Sequence, residues 1–416
     1  MKRLRSRLAI ILAMVMVITS FTFLGAYADD EPVTVECKVT YQAGEGGKVT
    51  PEEEGPGPIS GSKAEPNSGY TFSGWYKGDT EITKDATIAP SKVKENLDKD
   101  EETGEYKDTT FTAKFSKIPA PQISGLTALA SCESVYLRWS DPTYTTAVTV
   151  AVNGAPSAVT ATKRADGLME YKVSGLNPRV NYLTGQYPSY SFTVTASNDG
   201  GSATGSTTGA PVKTISYKLQ VKASGTLKSH GGPKAKIKVK KGQTIYAYGF
   251  GGGKYIFANE QGSIFYCNMS RTGKKSCVYD NSMYYTPEEA QLYVNDRGMS
   301  SKTSSFVWVN TYSQKLYVFT LTANGWTWVH DNKCSTGKAS TPAPTGVSGK
   351  KQIWKKIKKR HGIKWWSPYS DINSIHSKKK AWKIGVPTSN GCIRNYEPDA
   401  KFVYFNAPIG TRVHIY

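Results

Sequence analysis

Near the end of the chain a cysteine follows a glycine, in Ser389-Asn390-Gly391-Cys392-Ile393-Arg394-Asn395, just past a Pro-Thr-Ser turn. A histidine, His376, lies 16 residues upstream, in Ile372-Asn373-Ser374-Ile375-His376-Ser377, towards the end of an expected strand. A thiol is a useful nucleophile only as thiolate, and an imidazole within hydrogen-bond reach promotes loss of its proton. Gly391 would let backbone N–H groups approach a substrate carbonyl closely, as an oxyanion hole for a tetrahedral intermediate requires. The pattern therefore permits Cys–His acyl transfer. On spacing alone, a structural cysteine remains the commoner outcome.

The other reactive residues are less suggestive. His414 falls on the last strand and His361 in a basic, aromatic stretch, and both read as structural; His230 and His330 lie in loop-like contexts. Six cysteines in 416 residues are too few for a disulfide scaffold. Cys267 and Cys277 bracket a short basic turn and could close a local bridge, while Cys37 and Cys132 read as lone thiols. No CxxC occurs and no Cys/His cluster has zinc spacing, so neither a metal nor an organic cofactor is expected.

The elements that must position Cys392 and His376 are mostly strands. The chain holds 39 Gly, 21 Pro and 26 Tyr, with 38% hydrophobic residues and a mean hydropathy of −0.45. Such a composition predicts a mainly β, multidomain chain and excludes a multi-span membrane protein. Thr286-Pro287-Glu288-Glu289 reads as a helix start, with Thr at the N-cap, Pro at the first helical position and Glu at the third, and the helix is expected to run to about Arg297-Gly298. Strands are expected at 305–310, 315–320 and 325–329.

Further upstream the chain divides into small modules. Residues 29–117 alternate at Val33, Val35, Cys37 and Val39, turn through Ala43-Gly44-Glu45-Gly46-Gly47, and continue through Gly69-Tyr70-Thr71-Phe72-Ser73-Gly74-Trp75-Tyr76 to a strand from Thr109 to Phe115. Its aromatics are expected in the core, and its charged stretch 95–108 as a mobile loop. Residues 118–213 begin with a proline linker and carry Val135-Tyr136-Leu137-Arg138-Trp139 and an alternating strand from Tyr190 to Asn198, the pattern of a two-sheet sandwich. Such a module could be a spacer or a binder. Residues 214–284 are strand-rich and basic, and fit either a small SH3-like barrel or a β extension of the C-terminal domain, 285–416.

The first residues bear on location. Met1 to Arg7 is basic, Leu8 to Gly25 is almost wholly apolar, and Ala26-Tyr27-Ala28 offers small residues at the cleavage positions. Residues 1–28 thus read as a secretory signal, leaving no permanent membrane span if cleaved, with an uncleaved anchor as the alternative. From Pro211 onward there are 33 basic and 9 acidic residues. Outside a cell, an anionic wall polymer or lipid surface is a more available partner for that charge than nucleic acid.

"TSNGCIRN" resembles the signature of the L,D-transpeptidase (YkuD) family, and "IHS" at 375–377 is similar to its upstream histidine motif. "TYSQKLYVF", "CSTGKASTPAPTG" and the closing "GTRVHIY" also resemble the family, so the likeness runs through several segments of about 290–416. The resemblance implies Cys392 as nucleophile, His376 as general base and Ser377 as the residue orienting the imidazole through its carbonyl. It implies an oxyanion hole from the Cys392 amide and amides around Gly391. It makes Arg394, Ser389 and Trp382 candidates for substrate contact, with Trp365 and Trp366 as possible companions and a structural ion pair as the rival role for Arg394. Asn390 stands where the family carries a second histidine, so any proton-carrying role there is lost. The segment between His376 and Ser389 is also shorter than usual for the family.

The implied activity is a peptidoglycan transpeptidation on stem tetrapeptides through a cysteine thioester, giving 3→3 cross-links in a secreted, wall-associated enzyme. With water as acceptor the same site would be an L,D-carboxypeptidase, and a decayed site would leave a wall-binding protein. "GYTFSGWY", with its flanking segments, resembles the internalin-type B-repeat, and 118–213 resembles a fibronectin type III domain.

Overall fold

The computed structural model describes residues 33–140, 145–345, 351–378 and 383–416. The expected signal segment 1–28 and Trp382 lie outside the described residues. About 50% of the chain is strand and 8% helix, in many small sheets, so the architecture is mainly β. It forms two compact units, one ending at Pro119 and one from Ala120 to Tyr416.

In the first unit a five-stranded sheet has Thr109–Lys117 at its centre, parallel to Val39–Ala43 and antiparallel to Tyr70–Lys77. Alternation along these strands turns Tyr41, Trp75 and Phe111 into one core, where the Trp75 indole donates to the Ala86 carbonyl at 3.2 Å. The core expectation holds for Trp75 and, in part, Phe72, whereas the Tyr70 and Tyr76 hydroxyls turn outward to Glu45 and Glu81. The charged stretch expected as a mobile loop is instead structured: Asp98–Lys99 pairs with Tyr106–Lys107, and Lys107 meets Asp100 at 2.7 Å.

The second unit begins with two four-stranded antiparallel sheets. One holds Ser124–Ala130, Ser134–Ser140, Met169–Ser174 and Thr162–Lys163; the other holds Ala155–Val159, Ala147–Val152, Tyr190–Asn198 and Gly201–Gly209. Trp139, Leu137, Phe192 and Val194 fill the space between them. Next, three small sheets surround a core of Tyr217, Tyr255, Phe257 and Phe265. Ala339, from the C-terminal domain, is buried in that same core. Cys267 and Cys277 are both free thiols in it, so the local bridge between them is not formed.

In the C-terminal domain α1 (Pro287–Asp296) starts with the expected capping box, Thr286 and Glu289 bonding reciprocally. Strands β1 (Ser305–Asn310), β2 (Lys315–Thr322), β3 (Gly325–Lys333) and β8 (Arg412–Ile415) form a sheet in the order β3-β2-β1-β8, with β1 and β8 parallel. A second sheet runs β4 (Ile357–Arg360), β5 (Ile363–Pro368), β6 (Ser374–Ser377), β7 (Ile393–Asn395). Every residue of β1 is buried, because both its faces are covered. Val307 and Val309 face Ile375 and Ile393 of the second sheet, while Phe306 and Trp308 face Tyr293 and Val294 of α1. Helix α2 (Glu397–Asn406) adds Ala400 and Val403 to the buried residues.

The sandwich is fastened to α1 rather than strung ahead of it. Asp296 accepts from Ser131, Ser134 and Tyr136 and meets Lys172 at 2.8 Å. Arg138, 6% exposed, bonds Glu170 of its own sheet and Glu288 of α1. Glu289 accepts from the Ala130 amide at 2.9 Å.

Candidate active site

Strands β6 and β7 run parallel with Ile375 beside Ile393 and His376 beside Arg394. Side chains alternate along a strand, so one decision about register sets both faces. Ile375 and Ile393 are fully buried in the core. His376, Arg394 and, two residues before it, Cys392 therefore belong to the opposite face. Two strands 4.8 Å apart and two residues of offset put the His376 and Cys392 Cα atoms about 8 Å apart, within side-chain reach. The two share a face but make no hydrogen bond to each other among the described residues.

His376 is 4% exposed, and its Nδ1 lies 2.6 Å from the Ser377 carbonyl. Only an N–H can satisfy that carbonyl, which assigns the proton to Nδ1 and leaves Nε2 as an acceptor. Burial lowers the His376 pKa to about 4; the Ser377 bond opposes this, and the Arg394 and Lys378 charges add to it. The imidazole is thus neutral at physiological pH. The Cys392 thiol is half-buried, and burial raises its pKa, against smaller lowering effects from a Ser374 backbone hydrogen bond and from Arg394. Both partners rest neutral, so any attack by sulfur must be coupled to proton transfer onto Nε2.

Trp366 stacks on His376, with ring centroids 4.2 Å apart and planes at 19°, and the Arg360 guanidinium lies over its ring at 5.9 Å. Its neighbour Trp365 has φ +58, a conformation costing about 1 kcal/mol for a non-glycine residue. The irregularity sends Trp365 to Tyr404 and Phe405 of α2 while Trp366 turns to the histidine.

The turn before Cys392 is built by Ser389. It is fully buried, its hydroxyl donates to the Cys392 carbonyl at 2.6 Å, and it accepts the Gly391 N–H at 3.0 Å. This corrects two expectations. The Ser389 hydroxyl is used inside the turn rather than turned to substrate, and the Gly391 amide is not free to serve an oxyanion. The Cys392 N–H has no partner among the described residues. Gly391 has φ +110, and a Cβ there would lie 2.4 Å from Asn373 Oδ1, so only glycine fits. The Tyr369 hydroxyl donates to its carbonyl at 2.8 Å.

Asn390 is exposed and its Oδ1 accepts from Thr341 at 3.3 Å. Arg394 reaches the Thr388 carbonyl at 3.4 Å, and no carboxylate pairs with it among the described residues, so the structural ion pair considered for it is not formed there. Among the described residues no group of three or more His, Cys, Asp or Glu is gathered to hold a metal. Tyr369, Asn373 and Thr341 had no sequence signal: each meets the turn 389–392 only through tertiary contact.

With this geometry in place, comparison with known families bears on the same strands. Residues 304–415 match the YkuD family, the L,D-transpeptidase catalytic domain. The C-terminal domain is of the L,D-transpeptidase type. Residues 37–119 match the divergent InlB B-repeat domain, in agreement with the resemblance read there. No curated protein sequence matches the chain.

Solved structures similar to the chain include a fused zinc-dependent amidase/peptidase/peptidoglycan-binding protein from Clostridium acetobutylicum, at 22% identity and TM-score 0.24, covering 29% of this chain and 55% of that one. An L,D-transpeptidase from Stackebrandtia nassauensis matches at 18% and 0.25, covering 28% and 58%. A cysteine-to-serine mutant of an Enterococcus faecium L,D-transpeptidase matches at 14% and 0.24, covering 47% and 95%. The chain thus spans little more than half the length of the first two. At such TM-scores only the family match and the site's own geometry bear on function. Among the described residues no helix is long and apolar enough to cross a membrane.

Proposed function

We propose that the protein is a peptidoglycan L,D-transpeptidase that forms 3→3 cross-links through a thioester on Cys392. The observation that carries this reading is the family match over 304–415 together with Cys392 and His376 on one face of a parallel strand pair. Sulfur attacks the donor carbonyl between the diamino acid and the terminal D-alanine of a stem tetrapeptide. As the S–C bond forms, the thiol proton passes to His376 Nε2, and the Ser377 carbonyl holds the imidazole from the other side. The Cys392 amide donates to the developing oxyanion. Collapse breaks the C–N bond, and the proton on His376 leaves with the D-alanine amine.

The side-chain amine of a second stem then attacks the thioester. An N–C bond forms, the S–C bond breaks, and the proton lost by the amine restores the thiol. Water in place of the amine yields the L,D-carboxypeptidase product. Arg394, with no carboxylate partner among the described residues, would pair with a carboxylate of the donor. The basic n-region and Ala26-Tyr27-Ala28 support export, and the excess of basic residues from Pro211 onward supports residence on an anionic wall.

Incubation of the mature protein with a carbapenem, followed by intact mass, tests the site. The expected result is one covalent adduct, lost in Cys392→Ala. No adduct on reduced protein would sink the reading and favour a wall-binding protein. Product analysis with and without an acceptor stem separates cross-linking from trimming.

A further inference from the structure

We infer that the three-sheet module at 216–278, outside the matched segment, is a working part of the active site, with Tyr255 as a positioning residue for Cys392. The inference rests on the proposed acyl transfer at Cys392.

The loop 335–345 lies against the nucleophile turn. Gly337 bridges Ser389, the Ser389 amide donates to the Thr336 carbonyl at 3.0 Å, and the Lys338 amide donates to the Ser389 carbonyl at 3.0 Å. The Thr341 hydroxyl bonds the same carbonyl at 3.2 Å and Asn390 Oδ1 at 3.3 Å. Ser389 in turn holds the Cys392 carbonyl and the Gly391 amide through its hydroxyl. The loop is also folded tightly on itself: a Cβ on Gly337 would come within 2.3 Å of the Ala343 nitrogen.

That loop is gripped from outside its own domain at two places. At one, the buried Tyr255 hydroxyl donates to the Ala339 carbonyl, and Ala339 is packed in the module's core. At the other, the Thr345 amide donates to the Phe250 carbonyl at 3.1 Å, and the Phe250 amide donates to the Thr345 hydroxyl at 2.8 Å. Tyr255 lies on the strand Lys254–Ala258, paired with Gly249–Gly251, which carries Phe250. One hairpin therefore holds both ends of the segment 339–345. From the Tyr255 hydroxyl to the nucleophile turn the path is Ala339, its neighbour Lys338, then Ser389.

A nucleophile must be held within a fraction of an ångström of its attack geometry, and groups remote from the chemistry can supply that precision. The bond from Tyr255 fixes the loop without touching sulfur, so its loss should slow acylation while leaving the thiol's intrinsic reactivity alone.

The test uses the full chain and three rates: carbapenem acylation by intact mass, alkylation of Cys392 by iodoacetamide, and thermal unfolding. Tyr255→Phe is expected to acylate roughly tenfold to hundredfold more slowly, with alkylation within about twofold of wild type. Thr345→Val, at the other grip, should shift acylation the same way, and serves if Tyr255→Phe folds poorly. Thr341→Val combined with Tyr255→Phe should be less than additive, as groups in one chain of contacts are. Tyr246→Phe, whose ring packs on Gly185 away from the loop, should behave as wild type. Unchanged acylation in both Tyr255→Phe and Thr345→Val, with the wild type acylated, overturns the inference alone. A wild type that is never acylated overturns the transpeptidase reading and this inference with it.

Discussion

Two seams join the C-terminal domain to the modules before it within the second unit, and they are made of different materials. The seam with the sandwich is charged: Arg138, Lys172 and three hydroxyls meet Glu288 and Asp296 of α1. The seam with the three-sheet module is nearly neutral, a tyrosine hydroxyl and a threonine against backbone, with Ala339 inserted as a plug. The first touches a helix whose buried side packs behind β1, one layer removed from His376 and Cys392. The second touches the loop on which the nucleophile turn rests. A rigid anchor and a positioning contact can thus be equally well packed, and what separates them is which element they grip.

The contrast is sharpest when the nucleophile turn itself is altered. Gly391→Ala forces φ +110 on an alanine and drives its Cβ into Asn373, so carbapenem acylation should fall by at least about a hundredfold. Gly262→Ala, with a Cβ in open space but φ +79, should cost stability only. Next in size is the charged seam. Arg138→Met removes one buried partner of Glu170 and Glu288 and should destabilise the second unit by about 2 kcal/mol, reduced from the usual cost because Glu288 is half-exposed. Chemical denaturation reads this loss, and acylation of the folded protein should stay unchanged. If Arg138→Met slowed acylation as much as Tyr255→Phe, the distinction between the seams would fail.

Acid should weaken the domain through its two buried histidines. His376 and His414 are held at about 4 and about 3 against 6.5 when free, chiefly by burial. Their neutral burial contributes stability in full above pH 6.5, and it is lost as pH falls through about 4 and then about 3. Carbapenem acylation should accordingly be level between about pH 6 and 8 on the His376 limb and fall near pH 4, where Nε2 becomes protonated. A midpoint near 6.5 would mean that His376 is solvated or not the base. The smallest effect is expected at Asn390: Asn390→His, exposed and bonded to Thr341, should change the acylation rate less than about threefold. A larger gain would show that the missing imidazole limits the site.

Much of the site could be read from sequence because its parts are local. "SNGC" and "IHS" each hold their key atoms within a few residues, and the Thr286 capping box needs only four. Ser377 as carbonyl partner of His376 is what the family resemblance implies, and the 2.6 Å bond agrees with it. Tyr369, Asn373 and Thr341 could not be read that way, since each meets the Cys392 turn from at least 18 positions away, and Tyr255 meets only the loop beside it. Nor does a serine's sequence position tell whether its hydroxyl faces substrate or its own turn. Ser389 went inward because burial leaves its oxygen no water, and the Gly391 amide and Cys392 carbonyl were the groups at hand.

The sequence by itself determined the strand-rich modules, the capped helix and the Cys–His chemistry those residues allow. Periodicity, capping and steric freedom act over a few residues, so they are written locally. Only the tertiary structure decided that His376 and Cys392 share a face, that both are desolvated, and that a tyrosine from another module bonds the loop beside the Cys392 turn. Register, desolvation and packing depend on what the rest of the chain brings alongside, and no local stretch carries that information.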